Sequence, residues 1–183
     1  MKSKKIFEGF DKRIIYIFLI ALFLRIYKLN LFPIGITHDE LNYIITAKSL
    51  FLTGSFIPQT APSILPTDMP FYNVVIAEIP AFILSPFIGL LDFSMFSSRF
   101  LGAFFSSLTC PVLYFLVYEI TKNKKISLLS SLVFSLNPWS LLMGRSVFEV
   151  NFYRFFFLTG FLNLLRSRGW RIFYSLPFYM MGF

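Results

Sequence analysis

Three ionisable residues stand next to one another at His38-Asp39-Glu40, and this group is the best suited to chemistry in the sequence. His38 is the only histidine, and Asp39 and Glu40 are the only adjacent acidic residues. A carboxylate in such a group can act as a general base or help to hold a metal ion. Because apolar stretches lie on both sides, ionisable residues here indicate a functional site at a membrane surface.

The same residues also fit a structural role, since Thr37-x-x-Glu40 has the pattern of a capping box. In such a box the Thr37 hydroxyl accepts from the Glu40 backbone N–H, and the Glu40 carboxylate accepts from the Thr37 backbone N–H. The pattern predicts a helix over residues 38–53 that ends at a glycine. Capping explains Glu40 well, Asp39 in part through the helix dipole, and His38 not at all. The two roles are compatible, and both stay open.

The remaining candidates are a third acid, three cations and a tyrosine: Glu149, Arg99, Arg145, Lys48 and Tyr43. A carboxylate can take the proton from an attacking hydroxyl, and Arg or Lys can hold a phosphate leaving group. Such a set suits transfer from a lipid-linked phosphate donor. The structural alternatives are that the two arginines anchor the ends of membrane spans, that Lys48 is an anchor on a solvated helix face, and that the tyrosine belongs to an interfacial aromatic belt.

His38 is a candidate metal ligand beside Asp39, although a lone interfacial histidine more often has a structural role. The cofactor is therefore unknown, and a divalent metal ion is the candidate that stays open. The sequence contains no glycine-rich phosphate loop, no Ser/His/Asp order and no CxxC pair. Soluble nucleotide chemistry thus has no support.

The composition excludes an ordinary soluble domain, with 56% hydrophobic residues, 14% charged residues, 26 phenylalanines and a mean hydropathy of +0.70. These values predict a membrane protein with several spans. The net charge of +8 does not indicate a nucleic-acid partner, because the basic residues fall into three separated clusters. The clusters are Lys2, Lys4, Lys5, Lys12 and Arg13; Lys122, Lys124 and Lys125; and Arg166, Arg168 and Arg171. The positive-inside rule puts all three in the cytoplasm.

The apolar runs predict an all-α, polytopic transmembrane helical bundle in the cell (plasma) membrane, with a cytoplasmic N-terminus. The predicted spans are 14–32, 100–118, 126–144, 147–165 and an incomplete one at 172–183, with an outer loop over 33–99. Arg25 and Lys28 are expected to extend to the outer interface. Within the outer loop, the apolar stretch 71–91 is interrupted by prolines and too short to cross. It is interpreted as a juxtamembrane or re-entrant helix, and a crossing remains the alternative.

Several short motifs occur in a fixed order along these elements. The Asp39-Glu40 pair follows the first span and is itself followed by these motifs: Tyr43, Lys48-Ser49-Leu50-x-x-x-Gly54, Met69-Pro70-Phe71-Tyr72, Ser98-Arg99-Phe100-Leu101 and Gly144-Arg145-x-x-x-Glu149. This order resembles the N-terminal part of GT-C superfamily membrane glycosyltransferases, in the protein O-mannosyltransferase and aminoarabinose transferase-like group. The resemblance covers nearly all of residues 1–183, which are therefore expected to form the N-terminal part of one transmembrane glycosyltransferase domain.

The resemblance implies an enzyme of the hexosyltransferase type. Asp39 would be the catalytic base, Glu40 an acid that orients the acceptor or a metal, and Glu149 the second acidic site residue, where many members have aspartate. The donor would be a polyprenyl-phosphate-linked sugar within the membrane lipid, and the acceptor a glycan, lipid or protein on the outer face. The alternative is a non-catalytic polytopic protein such as a transporter piece, a scaffold or a degenerate remnant.

Overall fold

The computed structural model describes residues 10–54, 78–91, 94–167, 173 and 175–181. Of these residues 82% are helical and none is in a strand, which confirms the all-α fold class. The helices within these ranges are α1 (Arg13–Ile26), α2 (His38–Thr53), α3 (Glu78–Leu90), α4 (Met95–Thr121), α5 (Lys124–Leu136), α6 (Pro138–Gly144), α7 (Glu149–Arg166) and α8 (Leu176–Met181). The Met69-Pro70-Phe71-Tyr72 motif and parts of the predicted 172–183 span lie outside the described residues.

Helix α2 begins and ends where the capping pattern predicts. The Thr37 hydroxyl accepts from the Glu40 backbone N–H at 3.2 Å, and the Glu40 carboxylate accepts from the Thr37 backbone N–H at 3.3 Å. At the other end, Gly54 has φ of 70°, a left-handed conformation that glycine adopts without strain. Its backbone N–H donates to the Leu50 carbonyl. The predicted capping box and helix are therefore confirmed.

Helix α4 has 27 residues and, within the described part of the chain, is the helix that is long and apolar enough to cross a membrane by itself. It contains the predicted span 100–118. Helices α5 and α6 pass the same test only as a pair and are bent by 60°. The described residues thus contain one candidate span, or two if the bent pair is a single span. The larger number of predicted spans stays a prediction.

The predicted span 126–144 is divided between α5 and α6, because the chain breaks at Asn137. Pro138 has no backbone N–H to donate, and the Asn137 side chain accepts a hydrogen bond from the Ser140 backbone N–H at 3.0 Å. Asn137 thus ends α5 and caps α6, with proline at the favourable first helical position. The Asn-Pro pair therefore lies at a bend of 60° between α5 and α6.

The first helix is also shorter than the predicted span 14–32. Its 14 residues end at Ile26 and rise about 21 Å, whereas a bilayer core is about 30 Å thick. Turns follow, and Lys28 has φ of 52°. The run of apolar residues continues to Phe32, so composition alone does not reveal where the helix stops.

Helix α4 lies at the centre of the described bundle, where it packs against α1, α5 and α7. One buried cluster joins α2, α3 and α7, and its members are Tyr43, Ile44, Ala47, Leu84, Ile88, Val147, Phe152 and Phe156. A second joins α1 and α4 and contains Ile14, Ile17, Ala21, Cys110 and Tyr114. The approach of α4 to the α6–α7 junction is close, because a Cβ on Gly102 would lie 2.7 Å from the Ser146 carbonyl oxygen. This packing sets the relative positions of α2 and α7.

Candidate active site at the start of the second helix

Glu40 and Arg99 form a buried ion pair between α2 and α4. Arg99 Nε donates to Glu40 Oε1 and Arg99 Nη2 donates to Glu40 Oε2, each at 3.0 Å. Both side chains are only 1% exposed. This two-point geometry is the strong form of an arginine–carboxylate contact. It fixes the first turn of α2 against the first turns of α4.

The same ion pair also binds two further segments. The Val147 backbone N–H, between α6 and α7, donates to Glu40 Oε1 at 2.9 Å. Arg99 donates to the Pro33 carbonyl at 2.9 Å and to the Gly35 carbonyl in the turn before α2. With the capping bond from Thr37, the Glu40 carboxylate accepts four hydrogen bonds, which matches its acceptor capacity.

Asp39 lies one residue away in a different environment. Its side chain is 66% exposed, and its ionic neighbour is His38, whose Nδ1 lies 3.8 Å from Asp39 Oδ1. A one-residue step turns a helix by about 100°, which takes Asp39 off the face that buries Glu40. Asp39 therefore has an accessible carboxylate on a rigidly held helix start.

Glu149 is the first residue of α7, two positions after Val147. Because the Val147 backbone N–H donates to the Glu40 carboxylate at 2.9 Å, the start of α7 is tied to the start of α2. Asp39 is thus adjacent to the residue that accepts this hydrogen bond, and Glu149 lies two residues after the one that donates it. The structure brings together the two helix termini that carry these acids.

Arg145 holds the end of the first helix. Its Nη1 donates to the Leu24 carbonyl at 2.7 Å, and its Nη2 donates to the carbonyls of Tyr27 at 2.8 Å and Phe32 at 3.1 Å. A cation suits these carbonyls because a helix C-terminus carries partial negative charge. Burial, and then the positive charge of Arg99, lower the pKa of Arg145 from its ordinary value. The guanidinium is a cation at neutral pH nonetheless.

Lys48 and Tyr43 lie in the contact between α2 and α3. Lys48 Nζ donates to the Ile88 carbonyl at 3.3 Å and to the Gly89 carbonyl at 3.1 Å. It thereby satisfies acceptors that the last turn of α3 leaves open. Tyr43 is 6% exposed and belongs to the buried cluster that joins α2 to α3. Both side chains stabilise the packing of α2, which carries Asp39, against α3.

His38 lies at the exposed start of α2, where its Nδ1 is 3.1 Å from Asn42 Nδ2. Within the described ranges, no group of three or more His, Cys, Asp and Glu side chains comes together as a metal site. His38 as a metal ligand stays a prediction from the sequence.

Arg25 is a residue whose place the sequence analysis missed. It does not extend to the outer interface but is fully buried, with Nε donating to Ser106 Oγ at 3.0 Å and Nη2 donating to Ser140 Oγ at 2.9 Å. It thus joins α1 to α4 and α6. The signal was its spacing, because Arg25 continues the buried face of α1 after Ile17 and Ala21 at helical intervals.

Comparison with known protein families gives a match that covers most of the chain. Residues 15–178 match the family model described as dolichyl-phosphate-mannose-protein mannosyltransferase. No curated protein and no solved structure matches the chain significantly. The matched region contains the acids and the arginines of the candidate site: Asp39, Glu40, Arg99, Arg145 and Glu149.

Proposed function

The chain belongs to the dolichyl-phosphate-mannose-protein mannosyltransferase family, and we propose that it transfers a sugar from a polyprenyl-phosphate carrier to a hydroxyl group on the outer face of the membrane. The family is membrane-embedded, and membership indicates a mannosyltransferase at the coarse level. The observation that carries the finer proposal is the exposed Asp39 carboxylate next to the buried Glu40–Arg99 ion pair.

The proposed reaction is the displacement of a phosphate by an acceptor hydroxyl at the anomeric carbon of the sugar. A new bond forms from the acceptor oxygen to the anomeric carbon while the bond from that carbon to the phosphate oxygen breaks. The hydroxyl proton passes to the Asp39 carboxylate. The electrons of the broken bond stay on the phosphate oxygen, so the phosphate leaves on the lipid carrier with one more negative charge. A positioned base of this kind contributes about 10²–10⁴-fold to a rate.

The other side chains support this step in different ways. Glu40 was expected to orient the acceptor or a metal, but its carboxylate accepts four hydrogen bonds from the protein, and its proposed role is to position Asp39 through the pair with Arg99. Glu149 is the proposed second acidic residue of the site. Arg99 uses four of its five N–H groups on protein acceptors and is buried, so its proposed contribution to phosphate binding is its positive charge. Arg145 is the second proposed phosphate cation, through the N–H groups that its carbonyl contacts leave.

The proposed setting is a multi-pass protein of the plasma membrane with a cytoplasmic N-terminus and the site on the outer side. The three basic clusters support this orientation, because positive residues concentrate in cytoplasmic loops. The acceptor class is left as a glycan, a lipid or a protein. A non-catalytic membrane scaffold is the alternative function.

The test compares two donors with the purified chain in lipid nanodiscs. The donors are radiolabelled mannose on a polyprenyl phosphate and radiolabelled mannose on a nucleoside diphosphate, each offered with a threonine-rich peptide or an oligosaccharide. We expect label in the acceptor fraction from the lipid-linked donor only. Equal transfer from the nucleotide donor would contradict the proposed donor class, and no transfer from either by folded protein would favour the scaffold.

A further inference from the structure

A groove of about 480 Å³ lies where α5, α6 and α7 meet. Its lining combines apolar and polar side chains from the bend, among them Val133, Phe134, Asn137 and Trp139, with Arg154 from α7. None of the described residues that line it is acidic. The proposed reaction does not use this groove, since Asp39 lies on α2, which packs mainly against α3.

Arg154 is a half-buried cation with no counter-charge among the residues that the structure describes. Its guanidinium lies 5.5 Å from the centre of the Phe134 ring, and no described side chain or carbonyl accepts a hydrogen bond from it or forms an ion pair with it. A guanidinium has five N–H donors, and partial burial makes unfilled donors costly. The groove therefore has a site for an anion with several oxygen acceptors.

A second cation strengthens the positive field in the groove. Arg25 lies over the same Phe134 ring at 6.0 Å from its centre, and it donates to the hydroxyl of Ser140, which lines the groove. Since low-dielectric walls focus the field of nearby charges, the two arginines favour an anion beside Phe134.

The rim of the groove is apolar and open. Val133 is 58% exposed and Trp139 is 65% exposed. Tryptophan is typical of the membrane interface, where its ring contacts lipid and its N–H contacts head groups. Arg154 lies five residues into α7, about 7.5 Å from the start of that helix. A ligand with an anionic head and an apolar tail fits this arrangement better than a free ion.

We propose that this groove binds an anionic phospholipid of the bilayer. The phosphate contacts Arg154, and the amide nitrogen of Asn137, whose oxygen already caps α6, provides further donors. An acyl chain lies along Val133 and Trp139. The bound lipid fills the space at the bend between α5 and α6 and stabilises the bend.

The test uses Trp139 as a local reporter. The chain has two tryptophans, so Trp170→Phe leaves Trp139 alone. Phosphatidylglycerol with brominated acyl chains, titrated into the detergent-solubilised protein, should quench Trp139 fluorescence with saturation. Arg154→Gln should weaken the apparent affinity by about 10-fold or more, as expected for a lost charge-assisted hydrogen bond. Arg154→Lys should retain most of the affinity, and Lys125→Gln, which removes an exposed charge from the start of α5, should leave it unchanged.

Four results would overturn the proposal. They are unchanged affinity in Arg154→Gln, equal quenching by brominated phosphatidylcholine, displacement of the lipid by inorganic phosphate, and displacement by polyprenyl phosphate at lower concentration than phosphatidylglycerol. The last would assign the groove to the donor carrier. If Arg154→Gln does not fold, Ser130→Glu decides instead: the new carboxylate can pair with Arg154 and should weaken binding to a similar extent, and unchanged binding would contradict the proposal.

Discussion

Asp39 and Glu40 are adjacent acids with opposite surroundings. The Glu40 side chain is 1% exposed and paired with Arg99, whereas the Asp39 side chain is 66% exposed. Glu40 can hold the start of α2 in position, but its carboxylate has no free acceptor for a substrate proton. Asp39 is exposed and therefore accessible to a substrate. This division supports Asp39 as the base and Glu40 as the residue that positions it.

The positioning role predicts a large loss of stability when either partner of the ion pair is removed. Glu40→Gln leaves the Arg99 guanidinium buried without a counter-charge, which should destabilise the folded chain by about 3–5 kcal/mol. Thermal unfolding in detergent, followed by circular dichroism, measures the effect. The double variant Glu40→Gln/Arg99→Met should recover part of the loss, because it removes both buried charges.

The matched control for this experiment is Arg13→Gln. Arg13 is paired with Asp11, but its side chain is 66% exposed, so its removal should leave the melting temperature nearly unchanged. If Glu40→Gln were as stable as the control, the buried pair would not be what holds α2 in place.

At the scale of the helices, the sequence predicts helix ends that depend on nearby residues better than ends that depend on contacts between distant segments. The ends of α2 were predictable because capping uses residues that lie within four positions of one another. The sequence contains an Asn-Pro pair at the bend between α5 and α6, but the 60° angle depends on packing. The early end of α1 was not predictable, since it depends on Arg145, which contacts carbonyls more than 100 residues earlier.

The close contact of α4 with the α6–α7 junction gives a second stability prediction. Gly102→Ala adds a Cβ that would lie 2.7 Å from the Ser146 carbonyl oxygen, and that backbone cannot give way without moving Val147 and its bond to Glu40. We expect a loss of about 1–3 kcal/mol, as for other overpacked contacts, and lower sugar transfer in the folded fraction.

The comparison for Gly102→Ala is Ile120→Ala, on the same helix. Ile120 is 63% exposed, so its truncation should alter neither the melting temperature nor the transfer rate appreciably. A Gly102→Ala variant that resembles Ile120→Ala in both measurements would show that α4 and the junction do not need this close approach.

At the scale of the whole molecule, the sequence predicted the helical fold class and the family, but not how the candidate site is assembled. Glu40 and Arg99 are 59 residues apart, and neither periodicity nor capping relates positions so distant. The sequence indicated Arg99 and Arg145 as phosphate ligands or anchors at span ends, and Lys48 as a phosphate ligand or an anchor on a helix face. In the structure all three donate to backbone carbonyls of other segments. Such contacts depend on tertiary packing, which the residue types alone do not define.

The central claim is that Asp39 is the base of a sugar transfer whose geometry the buried ion pair holds. The measurement is the rate of transfer from a saturating polyprenyl-phosphate donor by Asp39→Asn, together with its melting temperature. Asparagine keeps the size of the side chain but cannot accept the proton, so the rate should fall by about 10²-fold or more. The melting temperature should stay unchanged, because the capping box uses Thr37 and Glu40.

Thr37→Ala is the control with the opposite expectation. It removes the cap at a cost of about 1 kcal/mol, while the folded fraction should keep most of its transfer rate. Transfer at the normal rate by folded Asp39→Asn would contradict the account, and the proposed base would then have to be Glu149 or be abandoned.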